Sequence, residues 1–408
     1  MVSVAGDKAD LTYYPPVRRV AFLAVWSIIL AACASGAEPT TTTGTGQSTT
    51  TVAPSPTTTN AVTTTSPAVH EPVTEVTALP VDTGCVLDDV PTGGEATVLS
   101  GGRLYGLGAD WLTPRCLVDG VVGSDFDWGP MGDRIRVGTR VIDGADEHAL
   151  ADAEQYEWTG PTGSRVVTIT SGNVAKIDIA DGSVVDITFL DATEGLAYHP
   201  AGTHVLALGT DFTGQYGLWL ASNEGADPIL LAFDEGATMS DPVWSWLGEP
   251  LFVAHHFDGT WHIHRVELTE EGALEGPIVV ESTRAIDMLT PARHDPVMLA
   301  YRLDGSTGSR CVDGSRATVN GADLPEPLAS LTTTPIGWLS TERLLIMAFP
   351  DGCDLPGDLW SFSAGLCPGS VYGAELVIQG VDWAAAREPA PQPPPSPDFT
   401  GIIDPAPA

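Results

Sequence analysis

The chain has 408 residues and a formal charge of −35 at neutral pH, enough length for two or three ordinary domains or for one large repeat fold. So acidic a surface repels phosphate backbones and excludes nucleic acid as a partner class. Beyond the N-terminal segment the single lysine is Lys176 and the other basic side chains are arginines; the acidity reads as solubility and charge repulsion.

Near the start, Arg18-Arg19 precede an apolar run from Val20 to Ala32. This is a basic n-region and h-region of secretory length, short of the about 20 residues that a membrane-spanning helix needs. The run ends in Leu30-Ala31-Ala32-Cys33, which resembles the lipobox of bacterial lipoproteins. The resemblance implies that residues 1–32 are a signal peptide, that the Cys33 thiol carries a diacylglyceryl group, and that the chain is cut just before it. Two acyl chains suffice for stable anchoring, so the expected location is the extracytoplasmic face of the bacterial cell membrane, with the membrane engaged through the lipid. The paired arginines leave the export route open between the general secretory and twin-arginine systems.

Residues 33–74 are dominated by Thr, Pro, Ser, Gly and Ala, as in Thr40-Thr41-Thr42-Thr43. Such a segment has too little apolar surface to offset the entropy of ordering and reads as a disordered tether. By random-coil scaling it spans on the order of 35–40 Å, which lifts the next domain off the membrane. A second Pro-rich segment, 388–408 with Pro393-Pro394-Pro395, reads as a disordered tail.

Between them, 75–387 is self-similar. Trp128-Gly129-Pro130-Met131-Gly132 and Tyr198-His199-Pro200-Ala201-Gly202 share an aromatic-x-Pro-x-Gly turn followed by a strand-like run. Looser copies begin at Trp158, Trp244 and Trp338, and Trp383 adds another anchor. The step from Trp244 to Trp338 is 94 residues, about double the neighbouring steps of 46 and 45. A degenerate copy is therefore expected near Pro291. Within each unit, short β-branched or aromatic runs alternate with Asp-Gly turns such as Asp181-Gly182 and Asp258-Gly259, and no helical period is sustained. Units of this size with four short strands are propeller blades. The turn, together with Gly217-Leu218-Trp219, resembles the Trp-Ser-Pro-Asp-Gly and Leu-Trp elements of TolB-type, WD40-like β-propellers. The expected fold is all-β, a propeller with seven blades favoured over six, the seventh formed by joining the strands of 96–119 to the segment at Trp383.

Five cysteines remain once Cys33 is set aside: Cys85, Cys116, Cys311, Cys353 and Cys367. In an oxidising compartment most should pair; the expectation is Cys85–Cys116 plus one bridge among the other three.

Candidate chemistry is sparse. In Phe252-Val253-Ala254-His255-His256-Phe257-Asp258-Gly259-Thr260-Trp261-His262-Ile263-His264, a hairpin turning on Asp258-Gly259 through a two- or four-residue loop sets His255 opposite His262, with His264 on the same face. His255, His262 and His264 so placed either pack as half-buried strand residues or hold zinc with an open fourth position. Asp125-Phe126-Asp127 and Asp351-Gly352-Cys353-Asp354 match no calcium loop and read as turns. The sequence contains no Gly-x-Ser-x-Gly elbow, phosphate loop or HExxH motif, so it shows no catalytic motif. The reading is a cell-surface binding or scaffolding module for a protein or glycan of the envelope. Its alternative is an enzyme acting on polysaccharide through channel-facing carboxylates.

Overall fold

The computed structural model describes residues 96–387 together with Leu79, Pro80, Gly84 and Cys85, apart from segments such as 223–227, 293–297 and 364–372 and a few shorter stretches. Residues 1–32, 33–74 and 388–408, with Cys33, and also Cys367 lie outside the described residues. The chain divides into units 1–69 and 70–408, and everything described falls in the second.

The described residues form seven four-stranded antiparallel sheets. Six are continuous in sequence and are numbered as blades 1 to 6: 126–149, 155–188, 191–232, 237–282, 286–323 and 332–381. The seventh joins the two ends of the domain. Its first strand is Trp383–Ala386, and its second, third and fourth are Ala96–Ser100, Arg103–Leu107 and Arg115–Val118. The register of closure pairs Ala96 with Ala386 and Leu99 with Trp383. A seven-bladed β-propeller is thus the fold, latched as the sequence ends suggested. Consecutive blades touch through their first strands around most of the ring.

Sequence explains which strands lie where. The second strands of blade 3, His204–Thr210, and blade 6, Arg343–Phe349, are near-continuous apolar runs buried at all but one end position. Strands buried on both faces require such runs, because a neighbouring blade covers each side. Fourth strands such as Asp146–Ala149 and Val184–Thr188 are mostly exposed; the first is correspondingly polar, whereas the second leaves Val184 and Val185 open to solvent.

The aromatic anchors close the first strands. Trp128 ends Phe126–Trp128, Trp158 ends Gln155–Trp158, Tyr198 ends Asp191–Tyr198 and Trp244 ends Ala237–Trp244. The degenerate copy is there too: Ile286–Pro291 places Pro291 where the others carry an aromatic ring. The anchor has a specific task. The Trp244 indole N–H donates to the Ala197 carbonyl at 2.9 Å, and that of Trp338 to the Thr290 carbonyl at 2.7 Å. Both acceptors immediately precede the anchor position of the preceding blade. The indole of Trp128 likewise donates to Thr97 Oγ1 of blade 7 at 2.6 Å. Each indole therefore packs in its own blade and bonds to the previous one. Trp383 is not equivalent, since it opens its strand instead of ending it.

The turn after Tyr198 is tied back by Gly202 N to the His199 carbonyl and by the Tyr198 hydroxyl to the Gly202 carbonyl, 2.8 and 2.7 Å. His199 sets its ring edge-on to Trp244 of the next blade, centroids 4.6 Å apart. Burial lowers both His199 and His204 to about 4, so both are neutral at pH 7. A histidine whose folded value is depressed stabilises the fold above its unfolded value, about 6.5, and that contribution fades as pH falls toward about 4.

Replacing Trp338 by Phe keeps most of the buried ring but leaves the Thr290 carbonyl without its donor. We expect Trp338→Phe to lower unfolding free energy by about 1–3 kcal/mol in urea titrations. An unchanged midpoint would show that the indole bond does not couple the blades.

Candidate functional site

Alternation of antiparallel strands divides the loops between two faces. The turns that carry the aromatic anchors lie on one face. The turns between second and third strands lie on the other, together with the links from each blade to the next; this is called the crossover face below.

A strap lies on the crossover face. It is the long turn 304–315 of blade 5, between Leu299–Leu303 and Arg316–Val319. Arg302, fully buried, organises it. Its guanidinium makes a two-bond pair with Asp287, at 2.8 and 2.6 Å, and donates to the carbonyls of Ser306, Ser309 and Arg310 at 3.4, 2.6 and 2.9 Å. A buried charge needs this degree of satisfaction, and removing either member leaves the other uncompensated. Gly305 sits so close to the pair that a Cβ there would overlap both Asp287 and Arg302, which explains the Asp304-Gly305 dipeptide better than turn propensity does.

From blade 5 the strap reaches far. Cys311 forms a disulfide with Cys353 in the corresponding turn of blade 6. Arg310 lies over the Trp383 ring of blade 7, 5.0 Å from its centroid, and 3.7 Å from Asp125 at the entrance to blade 1. Cys85–Cys116 is the other disulfide among the described residues, as the sequence suggested; the second bridge does come from the remaining three cysteines.

Asp125 and Asp127 flank the start of blade 1 and share Arg136. Its guanidinium bonds both oxygens of Asp125 at 2.8 and 2.9 Å and approaches Asp127 at 2.6 Å, with the Tyr156 ring 5.1 Å away. Burial pushes the Asp127 carboxyl up to about 6, while Arg136 and the Trp158 side chain act in the opposite direction. These carboxylates are therefore engaged by an arginine, and Asp125-Phe126-Asp127 is more than the turn it resembled in sequence.

The histidine hairpin differs from its predicted register by one residue. His255 pairs with Trp261, Ala254 with His262 and Phe252 with His264. The cause is the loop, Phe257-Asp258-Gly259, closed by His256 N to the Thr260 carbonyl at 2.9 Å, with Gly259 at φ 89°. A three-residue loop with a left-handed glycine at its end shifts the pairing that an even-numbered loop would give, and a slip of one residue exchanges the faces. His255 consequently leaves the cluster and stacks on Trp261 at 3.8 Å. His256 takes its place beside His262 and His264, with ring centroids 4.4, 6.2 and 5.5 Å apart in the three pairs. The Asp258 side chain could have signalled the odd loop: Oδ1 accepts from both the backbone and hydroxyl of Thr260, at 2.9 and 2.7 Å.

One further feature of this face escaped sequence reading. The most exposed large apolar side chains among the described residues are Phe212 at 96%, Val122 at 91% and Phe257 at 82%. All three project from crossover-face loops, Phe212 and Phe257 from equivalent turns of adjacent blades. Phe233, on the link between those same blades, is also exposed. A lone Phe inside an Asp-rich turn is the only sequence trace they leave.

No protein-family model matches the chain, and no curated protein matches it in sequence. Among solved structures, it is similar to TolB from Acinetobacter baumannii at 14% identity, covering 73% of this chain and 67% of that one with a TM-score of 0.41. It is likewise similar to a putative TolB from Agrobacterium tumefaciens at 12% identity, 63% and 89% coverage and TM-score 0.41. An oligogalacturonate lyase in complex with manganese aligns at 13% identity, covering 69% of this chain and 88% of that one, with a TM-score of 0.49.

A carboxyl whose folded value is raised, as for Asp127, stabilises the fold at acid pH and loses that contribution as pH climbs from about 4 through about 6. Asp127→Asn should therefore remove a stability slope approaching 1.4 kcal/mol per pH unit in that window, read as the difference between wild-type and variant urea midpoints across pH. Parallel curves would contradict the assignment.

Proposed function

We propose that this protein is a lipid-anchored, extracytoplasmic binding module that holds a protein partner on the crossover face of its propeller. The observation that carries the reading is that the three most exposed large apolar side chains among the described residues, Phe212, Val122 and Phe257, all project from crossover-face loops. Phe212 and Phe257, on equivalent turns of adjacent blades with the exposed Phe233 on the link between them, are apolar side chains of the kind a protein-binding surface presents. With a chain charge of −35, the complementary partner has an apolar patch in a basic surround, and long-range attraction speeds encounter. Cys33 and the run before it support attachment through lipid, and the two disulfides suit an oxidising compartment,. The tether 33–74 gives the module reach from the membrane. The engagement of Asp125 and Asp127 by Arg136 gives the polysaccharide-enzyme alternative no free acid–base pair at this site.

Two measurements test it. Surface crosslinking and pull-down with the Phe212→Ser, Phe257→Ser double variant should lose the partner retained by the wild type, whereas Met131→Ser, Leu247→Ser on the anchor face should keep it. These exposed changes should leave stability within about 0.5 kcal/mol. Equal retention by both variants, or retention of glycans with no protein, would overturn the reading. Cys33→Ala should move the protein from the membrane fraction to the medium or soluble envelope fraction; unchanged membrane association would refute the lipid anchor.

A further inference from the structure

We propose that His256, His262 and His264 form a binding site for a divalent transition metal of the zinc class, with the fourth coordination position open to solvent at the crossover face. One nitrogen from each ring can be chosen so that all three lie within 4.8 Å of one another. A tetrahedral zinc with bonds near 2.0–2.1 Å needs nitrogen separations of about 3.3 Å, so the widest pair must close by about 1.5 Å, within reach of small side-chain rotations at a hairpin end.

The scaffold suits the task. His262 and His264 alternate along one face of the strand Trp261–Thr269, and His256 ends the strand paired with it. His264 is 4% exposed and its ring stacks on Phe252 at 5.3 Å, which fixes the deepest ligand. His256 and His262 are half-buried, leaving the cluster open on its outer side. His262 Nδ1 is buried and makes no hydrogen bond to any described residue. Imidazole nitrogens in this arrangement favour zinc, nickel, copper or cobalt over the oxygen-seeking calcium and magnesium.

Two carboxylates frame the site. Asp258, in the loop of the same hairpin, is held by the backbone and hydroxyl of Thr260 at 2.9 and 2.7 Å, which places a carboxylate two residues from His256. Glu281 on the fourth strand stands directly across from His262 in the sheet register, hence on the same face. Either supplies negative charge near a bound cation, and Glu281 is placed to orient a ligand or a metal-bound water.

The test is equilibrium dialysis and calorimetry with zinc alone, and visible spectroscopy with cobalt, on the propeller-bearing chain purified free of affinity tags. We expect one zinc per chain, a rise in melting temperature, and tetrahedral cobalt bands. His256→Ala and His262→Ala, both at half-buried positions, should abolish the stoichiometric binding and the bands. His255→Ala, one residue away but on the opposite face, should retain both. Circular dichroism and melting without metal establish that each variant is folded; if one is not, His256→Gln or His262→Gln replaces it. No stoichiometric zinc in the wild type, or loss on changing His255 with retention on changing His256, would overturn the proposal.

Discussion

Closure of the ring by a short antiparallel ladder is the constraint on which the rest depends. Trp383–Ala386 adds four residues to the edge of Ala96–Ser100, and Asp382 extends the contact, its amide donating to the Leu99 carbonyl and its carboxylate accepting from Gly101 N, 2.8 and 2.9 Å. Every blade buries both faces against neighbours, so an open ring would leave two blade faces and two sheet edges in water. The end of the ladder is held as well: Arg387 donates to the Gly132 carbonyl and lies over the Trp128 ring of blade 1. Cys85–Cys116 fastens the chain ahead of Ala96–Ser100 to the outer strand of the same blade.

The two faces divide the work. On the anchor face, indoles bond backward from blade to blade and a repeated turn serves a repeated purpose. On the crossover face the loops differ, and the differences are where chemistry gathers. The strap from blade 5 carries Arg310 to blades 7 and 1, held by the Arg302–Asp287 pair and by Cys311–Cys353. It supplements ring closure with contacts between blades that are not sequence neighbours. The histidine cluster and the exposed phenylalanines occupy blades 3 and 4 on that same face, away from the strap's attachment.

What could be read in the sequence was whatever repeats. The spacing of the anchors located the blades, including the copy at Pro291 that has lost its ring, because a missing indole still leaves strand, turn and strand at the right interval. Trp383 was right in position and wrong in kind: it marked the closing strand but sits at the opposite end from the other anchors. Features that occur once were harder to see. The odd-numbered loop at Phe257-Asp258-Gly259 exchanged His255 for His256, since alternation magnifies one residue of loop length into a change of face. Arg302, within the apolar run Leu299–Leu303, was a visible sign of a buried partner, but nothing in the sequence identified Asp287 as that partner. Exposure of Phe212 and Phe257 follows from loop direction, which composition does not encode.

Native-state hydrogen exchange tests the central claim, that ring closure makes the seven blades one cooperative unit. The comparison is between the cross-strand-bonded amides of Ala96–Ser100 and Trp383–Ala386 in the closing sheet and those of His204–Thr210 in blade 3. The account predicts that the slowest amides of both groups exchange with the same opening free energy, that of global unfolding, and shift together with denaturant. Closing-sheet amides that open at clearly lower free energy while blade 3 stays protected would show that the latch is not what holds the ring together.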